Sequence, residues 1–210
     1  MIPNCKVWTK VAWIAAIAAW VLAGCGPKDA RDTSVDELED ALDSVRVARA
    51  ALMELPADSI AQAKSWSEQH LWDFELLVSD STAQLTREEG AIISEVARAR
   101  RLLKDGPERL RTLAESGERT ESQLVALIAT LESGATTDGA GTPIDSAYIA
   151  TNTARELSFA RAYLVSVAET QDLARRGLDI AAAAAAPVDS LKTVLRARYA
   201  AALIASSEEE

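Results

Sequence analysis

Residues 110–131 read LRTLAESGERTESQLVALIATL. Within them Leu110, Leu113, Gly117, Thr120, Leu124, Leu127 and Leu131 recur at alternating steps of three and four. That spacing keeps one side of a helix facing a partner helix, whereas a half-buried strand would alternate every second residue. The segment therefore predicts a helix with a coiled-coil-like seam.

Upstream of it, Gly106-Pro107 makes a break with proline at a first helical position. From the sequence alone this pair either bends or reverses the chain. Before it, Thr86-Arg87-Glu88-Glu89 is a capping box, followed by Ile92, Val96, Ala99 and Leu103. That helix begins acidic and ends in Arg98, Arg100, Arg101 and Lys104, which complements the helix dipole. Further back, Ser34-Val35-Asp36-Glu37 has the pattern of a second capping box. It heads a run of Val35, Leu38, Leu42, Val45, Ala48, Leu52 and Leu55 that stops at Pro56. Another helix is expected from Asp58 or Ser59 to about Ser79, before Asp80-Ser81-Thr82.

Downstream, residues 133–142 (SGATTDGAGT) form the clear loop. A last helix is expected from Thr142-Pro143 through Ile144, Ala147, Leu157, Leu164, Val167, Leu178 and the Ala181–Ala186 run. Pro187 should kink or break it, with Val188 to about Ala205 resuming and Glu208-Glu209-Glu210 fraying into solvent. If Gly106-Pro107 only bends, residues 87–133 span about 70 Å and residues 143–186 about 66 Å. Two lengths so close suit a long antiparallel hairpin, with the two earlier helices alongside. The fold class is all-α: an elongated antiparallel bundle of coiled-coil-like hairpins, and no segment competes as a strand.

Composition limits the chemistry. The chain has 210 residues, 49% hydrophobic and 26% charged, enough for one core. Its net charge of −10 works against phosphate backbones, so no nucleic-acid partner is expected. One histidine and two cysteines leave almost nothing from which to build a nucleophilic triad or metal site. No spaced carboxylate pair stands out, and the Gly134–Gly141 stretch lacks the Lys-Ser/Thr of a phosphate loop. The expectation is a non-enzyme with no metal and no cofactor.

The N-terminus is the most informative segment. Lys6 and Lys10 are its only charges, and Val11–Ala23 is an apolar run of 13 residues. Such a run spans roughly 20 Å, too short for a membrane core of about 30 Å. A positive start, a short apolar stretch and small residues behind it describe a signal peptide. At its end, Leu22-Ala23-Gly24-Cys25 resembles the lipobox of bacterial lipoproteins, in which the cysteine is acylated and the chain is cut before it. That resemblance implies a signal peptide over 1–24 and a lipidated Cys25 with a polar tether over 25–33. A helical domain over 34–206 and an acidic tail over 207–210 follow. Cleavage would remove Cys5, Lys6 and Lys10, leaving 20 basic against 32 acidic residues, a net charge of −12. So acidic a domain is held at an anionic membrane by its acyl chains. Residue 26 is Gly rather than the Asp that retains enterobacterial lipoproteins at the inner membrane, so the outer membrane is the expected site in a diderm host. The plan is also similar to that of lipoproteins joined to peptidoglycan through a C-terminal lysine, but residue 210 is Glu.

Three features of the helical region have both a structural and a functional reading. His70 lies four residues from Trp66 and Phe74, as a packed core histidine would; ligation of a haem with Met53 would need an attachment motif that is absent. Arg98, Arg100, Arg101, Lys104, Arg109 and Arg111 against Asp105 and Glu108 give a local charge of +4. This is either helix-end complementarity on a solvated face or, through Arg98, Arg101 and Lys104, a contact for an anionic partner. Trp72, with Leu76 one turn on, falls opposite the apolar face of its helix. It is either covered by a neighbouring helix or part of an exposed contact patch, and Trp66 should be the more buried tryptophan in both cases. The function expected is a non-catalytic, membrane-anchored envelope lipoprotein that binds or spaces an envelope protein. The alternative is a small-ligand carrier built around Trp66, His70 and Met53. The oligomeric state is left open.

Overall fold

A computed structural model describes residues 29–79 and 85–208. They form five helices: α1 Ala30–Met53, α2 Ala57–Ser79, α3 Arg87–Leu103, α4 Gly106–Glu132 and α5 Ser146–Glu208. Among the described residues there is no β-strand, only an isolated bridge between Thr137 and Pro143. The fold is an all-α bundle.

The 63-residue α5, about 95 Å long, sets the frame. The buried residues along it run from Ile149 through Thr153, Glu156, Ala160, Tyr163, Val167 and Thr170. They go on through Ala174, Gly177, Ala181, Ala184, Val188, Leu191 and Leu195. Every step is three or four, in strict alternation. This uninterrupted seam keeps one edge of α5 against two partners from end to end.

Those partners come as two broken columns. One is α1 followed by α2; the other is α3 followed by α4. The start of α1 sits beside the α4–α5 loop, where the Arg31 guanidinium donates to the Ala135 carbonyl at 3.3 Å. Hence α1 and α2 run parallel to α5, while α3 and α4 run antiparallel to it. In the proximal half α1, α4 and the first part of α5 enclose a core that includes Leu38, Val45, Leu124, Leu131 and Tyr163. In the distal half α2, α3 and the rest of α5 enclose Phe74, Val96, Val188, Leu191 and Leu195. Between them, at the waist, Ile60, Leu103 and Ala174 form a small cluster of their own.

Both columns break at this waist, in different ways. Gly106-Pro107 bends the chain without reversing it, and Lys104-Asp105 is all that separates α3 from α4. The buried and half-buried positions Val96, Ala99, Leu103, Gly106, Leu110, Leu113 and Gly117 keep the three-four alternation straight through the break. Gly106 is required there, because a Cβ would come within 2.7 Å of Ile60. Between α1 and α2 the spacing slips: Leu52 to Ile60 is eight residues, one more than a heptad, and the turn at Pro56 absorbs the extra residue.

Several boundaries differ from the sequence reading. α1 begins at Ala30, four residues before Ser34, so the expected capping box lies inside the helix and the last part of the tether is helical. Nothing between Ala30 and Thr33 breaks a helix, and Asp29 and Asp32 supply the acidic start. By contrast, the Thr86 box forms in full: Glu89 N donates to Thr86 Oγ1 at 3.2 Å and Thr86 N to Glu89 Oε2 at 2.8 Å. The loop extends to Asp145, whose carboxylate accepts from Tyr148 N at 2.8 Å and caps α5. Thr142-Pro143 belongs to that loop, folded around Asp138, which accepts from Ala140 N and Thr142 N. Pro187 does not break α5. It removes one helical hydrogen bond, but Ala184 and Val188 on either side are held in the distal core.

Candidate interaction surfaces

The lipobox residues Leu22, Ala23, Gly24 and Cys25 lie outside the described residues, as do Lys6 and Lys10. Among the described residues no helix is long and apolar enough to cross a membrane.

Trp72 and Leu76 lie one turn apart on the outer face of α2, 59% and 49% exposed. Of the two alternatives for Trp72, the structure takes the exposed one. Its neighbour Asp73 turns the other way and bridges to Lys192 of α5. The hydrogen bond from Lys192, with a second from Gln69, holds the Asp73 carboxyl below its ordinary pKa. A patch of two large apolar side chains is thus carried on a helix clamped in place beneath it.

Trp66 is half-buried against the distal core. Its ring meets His70 with centroids 4.5 Å apart. His70 donates from Nδ1 to the Trp66 carbonyl at 2.9 Å, the behaviour of a partly buried core histidine. Met53 is not brought to this pair. It ends α1 at 79% exposure, and the thirteen residues from Ala57 to His70 put roughly 20 Å of helix between the two. The three residues of the carrier reading do not share a cavity.

The basic cluster is largely paired within the chain. Arg98 lies 3.6 Å from Glu95, Arg100 3.9 Å from Glu68, and Arg109 3.8 Å from Glu169. Arg111 takes both Glu108 and Glu115 at 2.6 Å. Arg101 and Lys104 are exposed and make no ion pair among the described residues. Arg101 also borders a cavity of about 60 Å³ at the waist, beside Gly106 and Arg109. The local excess of charge thus narrows to two side chains at the middle of the rod.

Distal to that point α5 is tied to both of its partners. Besides Lys192 to Asp73, Arg198 donates to Glu89 at 2.7 and 3.1 Å. With the bond from the Thr86 backbone, this lowers the Glu89 pKa. The sequence reading places the Ala181–Ala186 run on the last helix but not the groove that these small side chains leave. Ala91 and Ile92 of α3 face Ile180, Ala183, Ala184 and Pro187 of α5 across an open apolar groove of about 410 Å³. The signal for it lies in Ile180–Val188, nine residues without a charge. In comparisons with known proteins, no family model, no curated protein and no solved structure matches the chain.

Proposed function

We propose that the chain is a bacterial envelope lipoprotein, non-catalytic and anchored through Cys25, whose helical rod carries a binding surface away from the membrane. The observation that carries this reading is the placement of the two ends. The start of α1 lies at the proximal pole, with Arg31 against Ala135, so a lipid on Cys25 attaches there. The Trp72–Leu76 patch lies at the level of Val188, 42 residues along α5 from Ser146, or roughly 60 Å away. A mature net charge of −12 repels the rod from anionic headgroups and favours projection over lying flat. Gly26 favours the outer membrane in a diderm host. The partner is an envelope protein that meets Trp72 and Leu76, with Arg101 and Lys104 available to its acidic groups.

Two measurements test this. Intact mass should show loss of residues 1–24 and added acyl mass, and Cys25→Ala should abolish both together with membrane fractionation. A photo-crosslinking residue in place of Trp72 should then capture one discrete envelope protein in cells, and one at Val47 on α1 should not. A Cys25→Ala protein processed and sedimenting with membranes as before would overturn the anchor. Identical capture from both positions would overturn the distal surface.

A further inference from the structure

The open groove between α3 and α5 is a second surface, separate from Trp72 and independent of the anchor. At every level of the rod three helices pack around the seam, and in the distal half α2 fills one side of the α3–α5 pair. The groove lies on the other side, and no residue of α2 lines it. Its floor is Ile92 and Ile180, and its walls are Ala91, Ala183 and Pro187. Core packing accounts for Ala181 and Ala184, which are buried, but not for Ala182, Ala183 and Ala186, which are exposed. An exposed helix face in a chain with 26% charged residues ordinarily carries charge. Here two turns carry none, and their side chains are short enough to let another backbone approach to the 8–10 Å typical of helix pairs.

The polar groups at this groove share one sign. Glu95 and Asp179 stand on its two walls. Asp179 makes no ion pair among the described residues, and Glu95 has only the half-exposed Arg98 at 3.6 Å. Pro187 has no N–H, so the Ala183 carbonyl oxygen beside it lacks its helical donor. Two carboxylates and a carbonyl that lacks its usual helical donor, around an apolar floor, call for an apolar stripe flanked by cationic donors.

We infer that this groove receives an amphipathic helix of a protein partner, with Leu and Ala on its buried face and Lys or Arg on its flanks, as a fourth helix on the distal half. A second copy of this chain fits poorly, since it brings the same carboxylates and a net charge of −10. An acyl chain would cover the floor and leave Glu95 and Asp179 unanswered.

The test uses the full chain and two labelled synthetic helices of 21 residues, both with a Leu/Ala heptad stripe, one flanked by Lys and the other by Glu. In fluorescence anisotropy the Lys-flanked helix should bind about tenfold more tightly than the Glu-flanked one. Ala183→Arg should weaken it by about tenfold or more, and Ala91→Arg on the opposite wall should do the same by an independent route. The pair Glu95→Gln and Asp179→Asn should weaken it about threefold and shrink the preference for Lys. Both arginine positions are exposed, so helicity by circular dichroism should hold. Failure of the Lys-flanked helix to bind, or binding to both arginine variants as tight as to the unsubstituted chain, overturns the proposal. So does a groove variant whose one effect is on self-association, or on displacement of a fluorescent fatty acid. None of these outcomes bears on lipidation of Cys25 or on capture at Trp72.

Discussion

The two halves of the rod solve the same packing problem with opposite placements of polar groups. In the distal half the polar contacts of α5 lie at the rim: Lys192 reaches Asp73 of α2 and Arg198 reaches Glu89 of α3. The seam between them is apolar or small, from Ala181 to Leu195. In the proximal half the closest interhelical rim pairs bypass α5, with Arg46 and Arg49 of α1 meeting Glu121 of α4, and α5 joins the rim through the looser Arg109–Glu169 pair at 3.8 Å near the waist. There α5 puts its polar groups inside. Among the described residues, Thr153 Oγ1, Glu156 Oε2 and Tyr163 Oη are buried without a hydrogen-bond partner. Burial raises the Tyr163 pKa, although Arg49 nearby opposes it. Gly117 makes this arrangement possible, since a Cβ there would lie 2.6 Å from the Tyr163 hydroxyl and 2.8 Å from the Arg49 stem. One heptad further toward the pole, that layer of Arg49, Gly117 and Tyr163 becomes Leu42, Leu124 and Glu156. A carboxylate thus stands level with two leucines, and its one ion-pair partner among the described residues is its own neighbour Arg155 at 3.0 Å. The same helix is clamped at one end and internally strained by desolvation at the other.

The largest expected effect breaks the distal core. Phe74→Ala removes the biggest fully buried side chain and should cost about 3–5 kcal/mol in urea titrations. Hydrogen exchange should speed up in α2 and α3 and leave α1 and α4 near their original rates. An equal rise in all four helices would mean that the waist couples the halves into one cooperative unit.

Next comes the sign of a carboxylate's contribution. Glu156→Leu should raise stability by about 1–3 kcal/mol, because it exchanges a buried, half-partnered charge for apolar packing. Asp73→Asn should lower stability, because it breaks the clamp on Lys192. If both changes lower stability, Glu156 has a partner the static arrangement does not reveal.

The smallest effect is one of pH. Asp73 and Glu89 have folded pKa values below their ordinary ones, through Lys192 and Arg198 respectively. Their contribution is therefore complete above the ordinary carboxylate range and is lost as pH falls through the lowered values. Acid should loosen the distal half by this route, and Asp73→Asn with Glu89→Gln should flatten the dependence. A profile unchanged by the double substitution would show that the rim pairs contribute nothing measurable, as many exposed pairs do.

How far the sequence could be read depended on which side chains marked each seam. Residues 110–131 announce theirs with leucines: six of the seven positions the spacing predicts are buried, Leu110 is half-buried, and Ile128 is buried beside them. The seam of α5 is just as regular but is written in Thr153, Glu156, Ala160, Ala174 and Gly177. A reader following bulk apolar residues picks Leu157, Leu164 and Leu178, which sit one position along and are half-buried. Small and polar residues at buried positions are decided by what the partner helices leave room for, and that is not local information. The two capping boxes make the same point. Both have the right letters, but at the first Thr86 is itself extended and caps the helix, whereas the one at Ser34 has helix-compatible chain before it. Of the candidate surfaces, the Trp72–Leu76 patch was legible from helical phase alone, with its exposure left to the neighbours. The α3–α5 groove was not, because it is made by the absence of side chains.

The strict repeat along α5 also gives the molecule a handed geometry. A seam repeating every 3.5 residues drifts by about 20° per heptad on a straight α-helix. Between Ile149 and Leu195 lie six and a half heptads, so the line of contact swings through roughly 130°. The helices must wind about one another, left-handed, to stay in touch. The azimuth of any feature near the loop therefore says little about where the same column faces at the far tip, and the rod works like a screw thread. A straight ligand could engage one end or the other. Only a helix whose own repeat is 3.5 could follow one column along the whole length.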